Sequence, residues 1–192
     1  MREIEIKLRL KDLPAAIAKL TAAGVTLSAP KEQHDVVYCL PGDMHKENDL
    51  SVNWLRIRTE NQSKHTFTLK RSVAGGLASL EHETELANAD EMATMLDYMG
   101  YVVYSDLTKI RRTGRMDMIE ICVDELPNLG AFIELEKLCN EDANGEEVEA
   151  ELLTLLDTLG VEYTDRMTKG YDELMNEFIA SKTPDETATS QL

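Results

Sequence analysis

The segment Glu3–Lys7 reads Glu-Ile-Glu-Ile-Lys and places a charged side chain at every second position. Side chains of a β-strand alternate between its two faces, so Glu3, Glu5 and Lys7 are predicted to project from one face of a strand. The intervening isoleucines then project from the other face and need an apolar partner. The charged face must meet either water or a charged ligand, and this choice limits how such a chain can fold.

The same alternation recurs in several later segments. Polar or charged side chains share one predicted strand face in these sets: Arg56 and Arg58; Thr68 and Lys70; Glu81, Glu83 and Glu85; Lys109 and Arg111; Glu120, Cys122 and Asp124; Glu134 and Glu136. Eight short strands are predicted in total, at residues 2–10, 35–40, 53–59, 65–71, 79–86, 102–113, 118–125 and 131–138. The sixth and seventh form a hairpin that turns near Asp117.

Helical spacing of apolar residues appears between the strands. The first predicted helix begins after the N-cap Asp12 and ends near Gly24. The second carries the apolar stripe Met92, Met95, Leu96 and Met99 and ends before Gly100, and the third carries a stripe from Val148 to Leu159 and ends before Gly160. A last helix is predicted from about 169 to 180. We interpret the Met and Leu stripes as core residues. Residues 40–52 contain Pro41 and Gly42 among mixed charges, and we expect a mobile loop there.

Composition limits the classes of protein to which the chain can belong. With 192 residues, 43% of them hydrophobic, we expect one domain over residues 1–180 and a disordered polar tail over 181–192. A net charge of −16 argues against nucleic acid as a partner. The first residues do not resemble a signal peptide, and no apolar run is long enough to span a bilayer, so no membrane partner is expected. The three cysteines show no metal-site spacing and are compatible with a reducing cytoplasm.

The repeated two-faced strands permit two architectures. One is an open antiparallel sheet with a wet face, on which opposite charges form weak pairs. The other is a barrel with the charges inside, and the grouping of charges by strand favours it. Cations that suit phosphate oxygens are Arg56, Arg58, Lys70, Lys109 and Arg111, whereas carboxylates that suit hard divalent metals are Glu3, Glu5, Asp124, Glu134 and Glu136. Three of these cations are arginines, whose planar fork matches phosphate.

An ordered set of short motifs resembles the CYTH family, also called triphosphate tunnel metalloenzymes. The motifs are E-x-E-x-K at Glu3–Lys7, L-R-x-R with Arg56 and Arg58, T-x-K ending at Lys70, K-x-R at Lys109–Arg111, the run from Val123 to Glu136, and Lys169–Leu174 at a helix start. The resemblance covers about residues 1–178 and is strongest to the class IV adenylyl cyclase branch. It differs at Gly170, where serine is common, and at Glu81, where related chains often carry a base.

The resemblance implies an α+β fold, an eight-stranded antiparallel β-barrel that forms a tunnel with flanking α-helices. It implies that a triphosphate is bound by Lys7, Arg56, Arg58, Lys70, Lys109 and Arg111. Mg²⁺ or Mn²⁺ would be held by Glu3, Glu5, Asp124, Glu134 and Glu136. Lys7, Asp124 and Arg111 would be catalytic, and Glu83 and Glu85 would either orient the cations or bind metal.

Three functions remain open at this point. The first is a cyclase that converts ATP to cyclic AMP and pyrophosphate, as the most similar branch implies. The second is a triphosphatase that hydrolyses tripolyphosphate or thiamine triphosphate, because the motifs are shared between both activities. The third is a non-catalytic module that binds polyphosphate or nucleotide. The chain is expected to be a monomer or a homodimer.

Overall fold

The fold rests on one antiparallel sheet, seen in a computed structural model that describes residues 2–46, 49–72, 79–140 and 142–182. Its strands are β1 (Arg2–Leu10), β2 (Lys31–Cys39), β3 (Trp54–Glu60), β4 (Lys64–Ser72), β5 (Ser79–Leu86), β6 (Val102–Met116), β7 (Ile119–Leu126), β8 (Gly130–Cys139) and β9 (Tyr163–Met167). The helices are α1 (Leu13–Ala22), α2 (Ala89–Tyr98), α3 (Gly145–Leu159) and α4 (Tyr171–Lys182), with a 3₁₀ turn at Pro41–Asp43.

The sheet closes into a barrel. Neighbouring strands follow the order β5-β4-β3-β2-β6-β7-β8-β1, and β1 pairs back to β5 with Glu3 opposite Ser79. This confirms the predicted eight-stranded antiparallel barrel with flanking helices. One edge of β1 is occupied by β8 along most of its length, so the other edge is shared between β5 and β9, the latter placing Met167 opposite Lys7.

Strand β9 was not predicted. Its five residues, Tyr163–Met167, are mostly exposed and show neither apolar alternation nor a β-branched run. It forms because β1 leaves a free edge beyond its contact with β5, and a free strand edge readily accepts another strand. The other eight strands were placed correctly, with boundaries that differ by at most four residues.

The alternating faces separate the apolar core from the charged interior. Ile6 and Leu8 of β1, both fully buried, pack with residues of β7 and β8 beneath α1 and α3. Helix α2 covers another part of the outer surface through Leu96, which contacts the cluster containing Leu55 and Ile57. Helices α1, α2 and α3 therefore cover the apolar outer face of the barrel, and the charged faces of the barrel strands lie on the inside.

Helix α4 packs differently from the other three. Its residues Tyr171 and Met175 contact Leu107, Leu126 and Phe132. By strand alternation these three side chains lie on the same face as Lys109, Asp124 and Glu134, so α4 lies against the inner face of the barrel. The first residues of this helix consequently lie beside the charged interior.

The helix ends mostly agree with the predicted signals. The Asp12 carboxylate accepts from the Ala15 N–H at the start of α1, and Gly160 ends α3 in the left-handed conformation with φ +67°. The hairpin turn falls at Asp117, with φ +51°. Helix α4 ends at Lys182 and so includes the first two residues of the predicted polar tail. Residues 183–192 lie outside the described residues, as do residues 47–48 of the predicted mobile loop.

One part of the predicted core is wrong. Met95 and Met99 are 53% and 58% exposed, although they belong to the apolar stripe assigned to the core. Met92 and Leu96 lie one helical turn apart and contact the sheet. Met95 lies on the flank of α2, and Met99 follows its last helical residue, so neither reaches the sheet.

Candidate functional site: an ionic cavity inside the barrel

The barrel encloses a cavity of about 590 Å³ whose lining is dominated by charged side chains. All six predicted phosphate-binding cations line it: Lys7, Arg56, Arg58, Lys70, Lys109 and Arg111. Its carboxylates include Glu3, Glu5, Asp35, Glu81, Glu83, Glu120, Glu134 and Glu136, with Asp172 and Glu173 from the start of α4. Two predicted residues do not line the cavity. Asp124 is fully buried behind Arg111, and Glu85 is exposed beside Lys64.

Arg111 is the centre of the most buried ion-pair network. Its Nε and Nη2 donate to the two Asp124 oxygens at 2.7 and 2.5 Å, and Nη2 also donates to Glu134. The Lys7 ammonium lies 3.1 Å from Glu134 Oε1 and 3.2 Å from Glu5 Oε1. Burial alone would raise the pKa of Glu134, but the charges of Lys7 and Arg111 hold it well below its ordinary value. Glu134, Lys7 and Arg111 therefore remain ionised and hold one another in place, whereas burial raises the pKa of Glu5.

A second buried pair joins Arg58 to Asp35. The Arg58 Nε and Nη2 donate to the two Asp35 oxygens, each at 2.7 Å, because the two residues lie directly opposite on β3 and β2. Burial opposes ionisation of Asp35, but the hydrogen bonds and charge of Arg58 keep its pKa below the ordinary range. Sequence analysis missed Asp35, although its alternation with Gln33 and Val37 could have placed it on the inner face.

Arg56 has the weakest ionic partners of the arginines in the cavity. Its Nη2 donates to Thr68 Oγ1 at 3.2 Å, and Glu81 and Glu83 lie 3.9 Å away. Its buried Nε has no hydrogen-bond partner among the described residues. Glu81 instead lies 3.1 Å from the ammonium of Lys70. Arg56 is therefore the arginine of the cavity that could bind an anionic ligand without first losing a strong ion pair.

Lys109 is buried beside other cations. Its ammonium lies 3.8 Å from Asp124 Oδ2. Burial and the charge of Arg111 lower its pKa to about 8. An anion bound next to Lys109 would restore its preference for the charged form.

Among the described residues, Glu3 and Glu136 lack a comparably close cationic partner, whereas the neighbouring Glu120 pairs with the exposed Arg115 at 3.3 Å. Burial, with the charges of Glu81 and Glu5, raises the pKa of Glu3 to about 7. Burial and the charge of Glu134 raise the pKa of Glu136 to about 8. Glu136 also groups with Glu120 and Cys122, and one ligand atom of each lies within 4.8 Å of the others.

This acidic group fits a divalent cation. Carboxylate oxygens suit hard metals. A cation bound by Glu3, Glu120 and Glu136 would offset the repulsion between carboxylates that contributes to the raised pKa values of Glu3 and Glu136. Of the predicted metal ligands, Glu5, Glu134 and Asp124 pair with Lys7 or Arg111, whereas Glu3 and Glu136 have no such close cationic partner in the part of the chain that the structure describes. The predicted metal ligands did not include Glu120, although its alternation with Cys122 placed it on the same strand face as Asp124.

The fold and its lining together define a closed β-barrel with an ionic interior. The CYTH domain model matches residues 1–171, and the chain belongs to the CYTH family. This confirms the resemblance seen in the sequence motifs.

Individual relatives extend over most of the chain. A Methanocaldococcus jannaschii protein named as a putative adenylate cyclase is 26% identical over 176 residues, which cover 91% of this chain and 98% of the relative. A solved Pyrococcus horikoshii protein is 26% identical with a TM-score of 0.76, covering 91% of this chain and 98% of that one. A Hippeastrum protein described as a putative adenylyl cyclase with a dominant triphosphatase activity has the same fold, at 22% identity and TM-score 0.60, over 94% of this chain and 97% of that one.

None of the helices in the described ranges combines the length and apolar character needed to cross a membrane.

Proposed function

We propose that the protein is a metal-dependent enzyme that acts on a triphosphate, and that its reaction is the conversion of ATP to cyclic AMP and pyrophosphate. The observation that carries this proposal is the cavity itself, in which six cations and a separate acidic group line one enclosed space. The name of the Methanocaldococcus relative supports the cyclase reaction.

In this proposal the six cations bind the phosphate chain. Phosphoryl and nucleotidyl transfer depend on in-line positioning and charge neutralisation more than on covalent chemistry by the protein. Lys7 and Arg111 would contact phosphoryl oxygens near the reacting phosphorus. Asp124 has no access to the cavity, so its part would be to orient Arg111 through their two hydrogen bonds.

Glu3, Glu120 and Glu136 would hold Mg²⁺ or Mn²⁺, with Glu5 and Glu134 beside them. A divalent ion there would supply additional charge neutralisation for the phosphoryl oxygens. Glu83 lines the cavity near Arg56, and its proposed part is to orient that guanidinium.

A triphosphatase is the second candidate, and the composition of the cavity favours it. A cyclase must also hold an adenine and direct the ribose 3′-oxygen to the α-phosphorus, whereas a triphosphatase needs only the phosphate chain and a water. Apart from Tyr171, the larger apolar side chains of the lining are Val37, Leu50, Trp54 and Leu107, against many more charged ones. A non-catalytic module would bind the same ligands without turnover.

Product analysis separates the three functions. The purified protein is incubated with ATP or with tripolyphosphate, in each case with Mg²⁺ or Mn²⁺. Cyclic AMP with pyrophosphate identifies the cyclase, and orthophosphate identifies the triphosphatase. Tight binding without turnover under either metal identifies the non-catalytic module. Arg56→Gln is the control, because this substitution removes a cation of the cavity without breaking a strong ion pair. If the activity belongs to this cavity, the variant should be less active.

A further inference from the structure

Tyr171, the first residue of α4, brings an aromatic ring into the ionic cavity. It is 7% exposed and packs edge-on against Phe132, with 5.2 Å between ring centroids. The ammonium groups of Lys7 and Lys109 lie 4.4 and 5.0 Å from the centroid of its ring. Two cations predicted to bind phosphate are thus attracted to one tyrosine ring, which is itself held by the apolar cluster under α4.

The Tyr171 hydroxyl is buried and has no hydrogen-bond partner among the described residues. A buried hydroxyl without a partner is unfavourable for the folded state, and such groups are rare. Burial and the nearby charges of Glu134 and Asp124 raise the pKa of this hydroxyl well above its ordinary value. The group therefore keeps its proton and is available as a hydrogen-bond donor.

We propose that the Tyr171 hydroxyl donates a hydrogen bond to a phosphoryl oxygen of the triphosphate, beside the ammonium groups of Lys7 and Lys109. This inference rests on the proposed function, because it requires that the cavity binds a triphosphate. A phosphoryl oxygen accepts hydrogen bonds, and the two ammonium groups attract an anion to the immediate surroundings of the ring. The fixed ring means that little conformational freedom is lost when the hydrogen bond forms.

The test is Tyr171→Phe, which removes the hydroxyl and keeps the ring. Titration calorimetry with tripolyphosphate and Mg²⁺ measures the dissociation constant, and we expect binding to weaken about tenfold or more, equivalent to about 1.4 kcal/mol. The melting temperature of the free variant should be unchanged or higher, because the variant no longer buries an unpartnered hydroxyl. A residue with a purely structural role would show the reverse pattern.

Tyr38→Phe is the matched control. Tyr38 is a buried tyrosine of β2 that packs beneath α2 and does not line the cavity, so its substitution should leave the dissociation constant unchanged. If Tyr171→Phe binds tripolyphosphate as tightly as the unchanged protein does, the hydroxyl has no part in binding and the inference is wrong. It is also wrong if the variant is destabilised while its affinity is retained. If the unchanged protein binds no tripolyphosphate, the proposed function itself fails.

Discussion

Adjacent residues of β3 provide a direct test of which face lines the cavity. Arg56 projects into the cavity, whereas Ile57 is 4% exposed and packs under α2. We expect Arg56→Ala to weaken tripolyphosphate binding by tenfold or more, measured by calorimetry. Ile57→Ala should instead lower the free energy of unfolding by about 2–5 kcal/mol, measured by chemical denaturation, and leave binding intact. A silent Arg56→Ala together with loss of binding in Ile57→Ala would mean that the two faces have been exchanged.

The pKa values of Glu3 and Glu136 predict how stability depends on pH. The pKa of Glu3 is raised from 4.5 to about 7, and that of Glu136 from 4.5 to about 8. Between about pH 4.5 and pH 8 these two groups therefore bind more protons in the folded protein than in the unfolded chain. Stability should therefore fall as pH rises from about 4.5 to about 8. Melting temperatures measured without divalent metal test this expectation.

Glu136→Gln is the control for this pH dependence. The variant removes one of the two titrating groups, so its melting temperature should fall less steeply over the same range. Adding Mg²⁺ should stabilise the unchanged protein more at pH 8 than at pH 5, because the carboxylates are charged at the higher pH. A pH profile that is the same for both proteins would remove Glu136 from the acidic group.

Sequence alternation identified most residues of the cavity, because strand parity alone decides which side chains point inward. Alternation could not show which of these charged residues pair with one another and which remain available to a ligand. Whether a carboxylate pairs with an arginine depends on strand register, which places Asp35 opposite Arg58 and Asp124 opposite Arg111. Tyr171 was seen only as part of a helix start, because nothing local to α4 shows that the helix packs against the inside of the barrel.

At the scale of elements, local capping signals in the sequence predicted where helices begin and end, but the sequence did not predict which helical residues pack against the sheet. Met95 and Met99 have the spacing expected of an apolar helix face. Helix α2 nevertheless contacts the sheet only along the narrow line of Met92 and Leu96, so Met95 and Met99 stay exposed. Strand β9 shows the converse, since a segment with little intrinsic preference becomes a strand when β1 offers it a free edge. Both results depend on tertiary contacts that are absent from a local window of sequence.

The close approach of two elements at Gly114 gives an element-scale prediction. The segment after α1 crosses β6 here, and the Ser28 N–H donates to the Thr113 carbonyl at 2.8 Å. A Cβ at Gly114 would lie 2.8 Å from Val25 Cγ1 and 3.1 Å from the Thr26 carbonyl oxygen. Gly114→Ala should therefore destabilise the protein by about 1–3 kcal/mol, as overpacking typically does.

Gly42→Ala is the matched control for this substitution. A Cβ at Gly42 meets nothing within 4 Å, and the residue is not in the left-handed region. Its free energy of unfolding, determined by the same denaturation, should differ little from that of the unchanged protein. Equal stability of the two variants would show that the segment after α1 can move away from β6 at no cost.

At the scale of the whole molecule, a specific ligand must be distinguished from general screening of a chain with net charge −16. A ligand that binds only the folded state stabilises it by about 2.7 kcal/mol at a hundred times its dissociation constant. We expect tripolyphosphate with Mg²⁺ to raise the melting temperature more than sulfate with Mg²⁺ at matched ionic strength. Equal shifts would show that the cavity has no preference for the longer anion, since screening acts alike on both.

Strand β1 pairs with a strand that is distant in sequence, β8. Glu3 lies opposite Leu138, and Lys7 lies opposite Glu134, so the first strand to be synthesised pairs along its length with the last strand of the barrel. Pairing between such distant segments is slow to form. Glu5, Lys7, Glu134 and Glu136 meet only through that pairing, so a growing chain has no binding site until β8 has emerged. The ability to bind a ligand therefore arises only once β1 has paired with β8.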